Sequence, residues 1–238
     1  MKKKIALTGA SGFLGSHILN LINSKESYEY IELGRNFEDS LFKLNNGDIL
    51  IHAASAHRDP IPENVYVNNL KMINKIVGTF KKNKSSINII FISSVQEVLN
   101  NPYGRSKKDG RLILEDYCNN HNTLFISHSL PNLFGPNAKP NSTSFVATFC
   151  YNIHNNIICN YNKNIINLCY VKDVVEKILE LKWHDINFKT TPISVEQVYF
   201  LLKSFKYKID NCKKIGPLTS FEEKLLNTFL SYKNYQLK

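Results

Sequence analysis

Apolar positions along this chain recur with two alternating periods. Short apolar runs, Ile5 to Leu7, Tyr30 to Leu33, Asp48 to Ala54, Asn88 to Ile92 and Thr123 to Ser127, read as buried strands. Between them lie amphipathic stretches with helical spacing: Phe13 to Ile22, a short pattern within Asn36 to Leu44, Glu63 to Lys82, and Tyr103 to Cys118. The long third stretch carries Val65, Leu70, Ile73, Ile76, Val77 and Phe80 on its apolar side, and the fourth carries Leu112, Ile113 and Tyr117. Strand and helix in alternation predict an α/β fold with a doubly wound, mainly parallel sheet. Pro131-Asn132-Leu133-Phe134-Gly135-Pro136 is expected to turn the chain out of that sheet. Beyond it the pattern loosens into a helix from Phe145 to His154, a strand from Ile165 to Cys169, helices from Val174 to Lys182 and Val195 to Phe205, and a last apolar turn near Phe229. The expectation is one unit over 1–238, with 1–135 mostly sheet and 136–238 mostly a smaller C-terminal part whose segments return to the core.

Composition narrows the picture. A chain of 238 residues can bury a sizeable core but is short for two full domains. No run is long and apolar enough for a membrane span, and Met1-Lys2-Lys3-Lys4 leads straight into a strand pattern, so a soluble, cytoplasmic protein without membrane insertion is expected. Cysteines at 118, 150, 159, 169 and 212 form no C-x-x-C pair, which speaks against a disulfide framework or a metal site. The net charge of +10 comes from scattered lysines without a recognition helix or stacking motif, so no nucleic-acid partner is expected.

Candidate chemistry begins at Thr8-Gly9-Ala10-Ser11-Gly12-Phe13-Leu14-Gly15, placed between the first strand and the first helix. There a dinucleotide pyrophosphate can meet the free N–H groups of a helix start, and glycine removes the Cβ that would block it. Gly9, Ser11, Gly12, Phe13, Leu14 and Gly15 are the candidate cradle, and the small pair Ala53-Ala54 after the third strand lets the backbone pass close to the same ligand. At the end of the second strand Gly34-Arg35 offers an arginine where NAD-binding folds hold an acid, which favours NADP(H) while leaving NAD(H) possible. Tyr103 and Lys107 lie four residues apart at a helix start, on one face. The nearby ammonium is expected to lower the tyrosine's pKa for proton transfer, with Ser94 reaching the same space.

Together these motifs resemble the extended short-chain dehydrogenase/reductase family of nucleotide-sugar epimerases, dehydratases and reductases. The matching sites are Thr8-Gly9-x-x-Gly12-x-x-Gly15, Ile51-His52-Ala53-Ala54, Asn69, Ser93-Ser94, Tyr103-x-x-x-Lys107, Asn132-Leu133-Phe134-Gly135-Pro136 and Tyr170-Val171-Lys172-Asp173, over roughly residues 4–182. A closer resemblance, through Asn101-Pro102-Tyr103-Gly104-x-Ser106-Lys107 and Lys139-Pro140-Asn141, is to the reductase domain of the CapF-type capsular polysaccharide-assembling proteins, without the cupin domain that follows it there. The resemblance implies a Rossmann-type fold with a C-terminal substrate-binding part. It also implies NADPH-dependent reduction of a 4-keto nucleotide sugar, UDP- or dTDP-linked, by a homodimer paired through the Glu63 and Tyr103 helices. Ser94, Tyr103 and Lys107 become the expected catalytic residues, and Arg58, Ser94, Gln96, Asn132 and Lys139 the expected substrate contacts.

Departures from the family pattern sharpen the expectation. Only fifteen residues separate Leu33 from Ile49, too few for the additional strand that usually bears an adenine-binding Asp. Ser129 replaces a common arginine, and Asp173 is read as a helix cap rather than a catalyst. Val95-Gln96 stands where dehydratases have Asp-Glu, which argues against dehydration. The alternatives are an epimerase acting through transient oxidation and a non-catalytic NADP-binding sensor.

Overall fold

A computed structural model describes residues 3–25, 27–33 and 37–236. The chain folds as two compact units. The first comprises 1–130 with 175–187, the second 131–174 with 188–238.

The first unit is built on a five-stranded parallel sheet. Its strands are β1 (Lys3–Thr8), β2 (Tyr28–Glu32), β3 (Ile49–His52), β4 (Asn88–Ser94) and β5 (Phe125–Leu130), in the order β2-β1-β3-β4-β5. Central strands read as unbroken apolar runs because they are covered on both faces. Ile5, Ala6, Leu7, Leu50, Ile51, Ile89 and Ile90 are all fully buried. Side chains alternate across the sheet. Ala6, Leu50, Ile89 and Phe91 therefore share one core with α2 (Glu38–Leu41), α3 (Glu63–Asn83) and α4 (Pro102–Asn120), while α1 (Phe13–Asn23) packs against β1 and β2. That is the doubly wound, Rossmann-type architecture expected from the pattern. Between Leu44 and Ile49 the described chain adds no further strand, and β2 stands at the end of the sheet. The buried face of α4 is Gly110, Leu114, Tyr117 and Cys118, with Ile113 packed against the core; of the expected Leu112, Ile113 and Tyr117, Leu112 is exposed.

The second unit holds a three-stranded sheet, β6-β7-β8, of β6 (Asn132–Phe134), β7 (Ile165–Tyr170) and β8 (Thr191–Ser194). Strand β6 pairs parallel to β7, and β8 pairs antiparallel to it. Helices α5 (Phe145–His154), α7 (Val195–Asp210) and α8 (Ser220–Leu230) pack on one another. The His154 ring stacks on Phe229 at 4.0 Å and Tyr232 donates to the Ala138 carbonyl at 2.6 Å. The segment expected to be only a turn, Pro131 to Pro136, thus contains β6, and the expected last apolar turn is the full helix α8. Helix α6 runs Val171–Ile178 instead of beginning at Val174. Asp173 therefore lies inside its first turn, where it accepts from Lys224 at 2.6 Å, and is not the cap.

Candidate active site

The glycine turn joins β1 to α1 with the geometry its residue types demand. Gly9 has φ +76°, and a Cβ there would sit 2.7 Å from the Ala54 nitrogen. Any larger residue would separate β1 from the chain leaving β3. Gly15 is closed on its own turn, since a Cβ would overlap the Gly9 carbonyl. Gly12 N donates to Gly9 O at 2.9 Å, and Gly12 is the N-cap of α1 with no side chain capping the helix. The first N–H groups of α1 therefore have neither an intrahelical acceptor nor a side-chain cap. Ser11 is exposed beside them, and Phe13 and Leu14 are half-buried. Ala53 N donates to Thr8 O at 3.3 Å and Ala54 N to Thr8 Oγ1 at 3.2 Å, which fixes the small pair against the turn. A glycine-lined turn opening on uncapped N–H groups fits the pyrophosphate of a dinucleotide. Arg35, the expected 2′-phosphate contact, lies outside the described residues.

The ends of β3 and β4 and the start of α4 converge on Tyr103. Ser94 closes β4 and Tyr103 occupies the first turn of α4, whose start is capped by Asn101 accepting from Gly104 N at 2.8 Å. Gly104 is required there, because a Cβ would strike the carbonyl oxygens of Gln96 and Leu99. Burial pushes the Tyr103 phenol up to about 12, while hydrogen bonds from the hydroxyls of Ser94 and Ser55 pull the other way. Lys107 lies one turn on, its ammonium 5.7 Å from the Tyr103 ring centre and 5.0 Å from that of Phe91. It is buried and donates to the Ile92 carbonyl at 2.9 Å. Burial lowers its pKa to about 8, opposed by the charge of Glu97. The expectation that Lys107 would lower the tyrosine's pKa is therefore corrected: burial of the phenol outweighs the bonds that favour its ionised form, and Tyr103 stays protonated.

Two residues absent from the sequence expectation complete this group. Ser55 follows Ala54, its hydroxyl donating to the Ala56 carbonyl at 3.3 Å and favouring the ionised phenol of Tyr103, and the exposed His57 ring lies 4.9 Å from the Tyr103 ring. Loss of water on its packed side, with the charges of Lys107 and Arg58, holds His57 below its ordinary value. His52, at the end of β3, is buried and lies 2.6 Å from Thr8 Oγ1 through Nδ1. Burial, then the Lys107 charge, lowers it to about 3, so it is neutral. Asn69 of α3 locks the loop to the helix. It accepts from Ala56 N at 2.7 Å and donates to Ala56 O at 3.1 Å and to Ser106 Oγ at 2.9 Å, and Ser106 in turn donates to Tyr103 O at 2.7 Å.

The candidate substrate residues are distributed between the units. Arg58 and Gln96 are exposed in the first unit, Arg58 one residue after His57 and Gln96 two after Ser94. Asn132, on β6, and Lys139 are exposed in the second unit. Ser94, Tyr103 and Lys107 are brought together within the first unit.

Comparison with known proteins accords with this geometry. The family model described as the NAD dependent epimerase/dehydratase family matches residues 5–185. A curated relative from Pseudomonas aeruginosa, UDP-2-acetamido-2,6-beta-L-arabino-hexul-4-ose reductase, is 29% identical over 96% of this chain. The chain spans 64% of that relative's length. Among solved structures, the capsular polysaccharide assembling protein CapF from Staphylococcus aureus superposes with a TM-score of 0.83 at 26% identity, covering 100% of this chain and 68% of that one. RMD from Pseudomonas aeruginosa, complexed with NADPH, has the same fold, with a TM-score of 0.77 at 16% identity, covering 98% of this chain and 100% of that one.

Proposed function

The chain belongs to the NAD dependent epimerase/dehydratase family, and from that premise we propose that it reduces the 4-keto group of a UDP- or dTDP-linked deoxy-ketosugar with NADPH, as a step in surface polysaccharide biosynthesis. The observation that carries this reading is the convergence of Ser94 at the end of β4 with Tyr103 and Lys107 at the start of α4, the Lys107 ammonium 5.7 Å from the Tyr103 ring centre. Converting a ketone to an alcohol requires a proton donor at its oxygen, and the protonated phenol is that donor.

Bound NADPH supplies the two-electron reducing equivalent. Gly9, Ser11, Gly12, Phe13, Leu14 and Gly15 would hold its pyrophosphate, with Ala53 and Ala54 beside it and Arg35 on its 2′-phosphate. The remaining work falls to side chains of the chain itself. Ser94 donates to the ketone oxygen and keeps it against the phenol, and Tyr103 passes its proton to that oxygen. The Lys107 ammonium then stabilises the phenolate left behind, and it would also hold the cofactor ribose. By side-chain chemistry, Arg58 suits a phosphate and Gln96 a sugar oxygen in the first unit, and Lys139 and Asn132 suit the same groups in the second. The name of the Pseudomonas relative supports the reaction class. Val95-Gln96 lacks the acid pair that a dehydratase of this family uses.

In this reading the protein is a cytoplasmic homodimer paired through α3 and α4, where Val67 and Leu112 are exposed; sedimentation showing only the 27.4 kDa species would remove the dimer. Among the described residues no helix is long and apolar enough to cross a membrane. The deciding experiment is a turnover screen of UDP- and dTDP-4-ketosugars with NADPH and NADH, read by product mass. A gain of two hydrogens with NADPH preferred is the expected result, and loss of that preference in Arg35→Ala would tie it to the arginine. Epimerised product at unchanged mass would replace reduction with epimerisation.

A further inference from the structure

Glu97 lies in a 3-10 turn, Val95–Val98, between β4 and α4. Its carboxylate is largely buried, with 17% of the side chain exposed. Oε1 accepts from the Ser93 hydroxyl and Oε2 from Arg111 Nε at 3.1 Å, while Arg111 NH1 donates onward to Glu115 at 3.2 Å. One carboxylate thus ties the end of β4 to the second half of α4, on either side of Ser94, Tyr103 and Lys107. As a structural ion pair alone it would be unremarkable, since a partly buried pair contributes little net stability.

Lys107 gives the pair a further meaning. Its ammonium is buried with partners that carry no charge: the Ile92 carbonyl and the rings of Phe91 and Tyr103. The titratable groups around it come from every neighbouring element. His52 on β3 and His57 in the following loop are neutral, Tyr103 on α4 is protonated, and α3 presents the uncharged Asn69. Arg58 and Arg111 are cations. Glu97 is set beside this ammonium by its two anchors: Ser93, the neighbour of the Ile92 whose carbonyl holds Lys107 at 2.9 Å, and Arg111, one turn after Lys107 on α4; its charge opposes the burial of Lys107.

We propose that Glu97 is a positioning residue: clamped between Ser93 and Arg111, it supplies the negative charge that keeps the Lys107 ammonium ionised beside Tyr103. Arg111 sets how much of that charge Lys107 feels. The inference rests on the role given to Lys107 above, but not on the identity of the sugar.

The test reads Lys107 directly, in the full chain without substrate. With 13C-labelled lysine, the Lys107 ε-methylene signal is assigned by its loss in Lys107→Met and titrated through the alkaline range. Glu97→Gln removes the charge but keeps an accepting oxygen, and should lower the Lys107 midpoint by about half a pH unit or more. Glu97→Asp retains the charge and should hold the midpoint near wild type. Arg111→Met leaves Glu97 unneutralised and should raise it. A clamp with only a structural role would move the Gln and Met variants the same way. An unchanged midpoint in folded Glu97→Gln, or a lowered one in Arg111→Met, overturns the proposal. If Glu97→Gln fails to fold, the sign of the Arg111→Met shift decides alone. Midpoints that move as stated in a protein that turns over no ketosugar would sustain this inference while removing the reductase reading.

Discussion

At α7 and α8 of the second unit, polar side chains sit where elementary chemistry puts them. Ser194 and Gln197 form a complete capping box at the start of α7, and Thr219 and Glu222 form another at α8. The acids Glu196, Glu222 and Glu223 fall in first turns, where the helix dipole favours them. In the first unit the same rules are broken close together. Helix α1 begins without a side-chain cap or a first-turn acid. A lysine and a histidine, Lys107 and His52, are buried with pKa values pulled down to about 8 and about 3. A fold retains such costs where the groups are used, because free helix N–H groups and desolvated titratable side chains bind and react more strongly than solvated ones. Helix α5 of the second unit also starts without a side-chain cap, so the contrast is between the well-capped α7 and α8 and the proposed site around α1, Lys107 and His52.

The largest effect that can test this contrast is on turnover. Tyr103→Phe keeps the ring but removes the proton, and should lower the reduction rate by roughly 10²–10⁴-fold. Steady-state rates beside cofactor titration by fluorescence check it; near wild-type turnover in a folded, NADPH-binding variant would return Tyr103 to the scaffold.

Lys107→Met should work in the opposite sense on stability. The folded value near 8 lies below the 10.5 of an exposed lysine. The unfolded chain therefore holds more protons between those two values, and the stability contributed at Lys107 rises with pH across that window. At neutral pH the buried ammonium costs on the order of 3 kcal/mol, most of which methionine should recover. Urea unfolding of the two proteins at neutral pH measures the gain, and its absence would mean that the site carries no such strain.

His52 sharpens the same contrast on the acid side. Its folded value near 3 is below the unfolded 6.5, so stability is lost as pH falls below about 6.5, at up to about 1.4 kcal/mol per pH unit. His52→Gln should flatten that limb between neutral pH and pH ~5, which unfolding free energies at several pH values will show or deny.

The smallest effect belongs to the second unit. Thr219→Ala removes one cap and should cost about 1 kcal/mol with little change in turnover. A loss of activity beyond that of the destabilisation would show that the second unit is not only scaffold at α8.

Much of the first unit was legible because its signals are local. Strand runs such as Ile49–His52 and Asn88–Ser94, the spacing of Gly9, Gly12 and Gly15, and the four-residue step from Tyr103 to Lys107 are properties of neighbouring residues, and period and turn chemistry read them directly. Where the reading failed, distant chain supplied what the local pattern lacked. Strand β6 lies between Pro131 and Pro136 in a segment that reads as a turn, and it becomes a strand through pairing with Leu168 to Tyr170 of β7. Helix α6 follows β7 without any breaking residue, so its start was misplaced. The start of α8 carries a local signal of its own, the Thr219 to Glu222 capping box.

For the site, the sequence by itself determined which residue types stand at the strand ends: the glycine turn, Ala53-Ala54, Ser94, and Tyr103 with Lys107. Only the tertiary structure decided what surrounds them. Ser55 and His57 leave β3, Glu97 follows β4 and Asn69 rides on α3, so no spacing rule relates them to Tyr103 until the parallel sheet sets the ends of β3 and β4 side by side. The ionisation of Tyr103 was decided there as well. Adjacency to Lys107, visible in the sequence, favours the phenolate, but burial, which exists only once the chain has folded around the ring, acts on the phenol more strongly and keeps its proton in place.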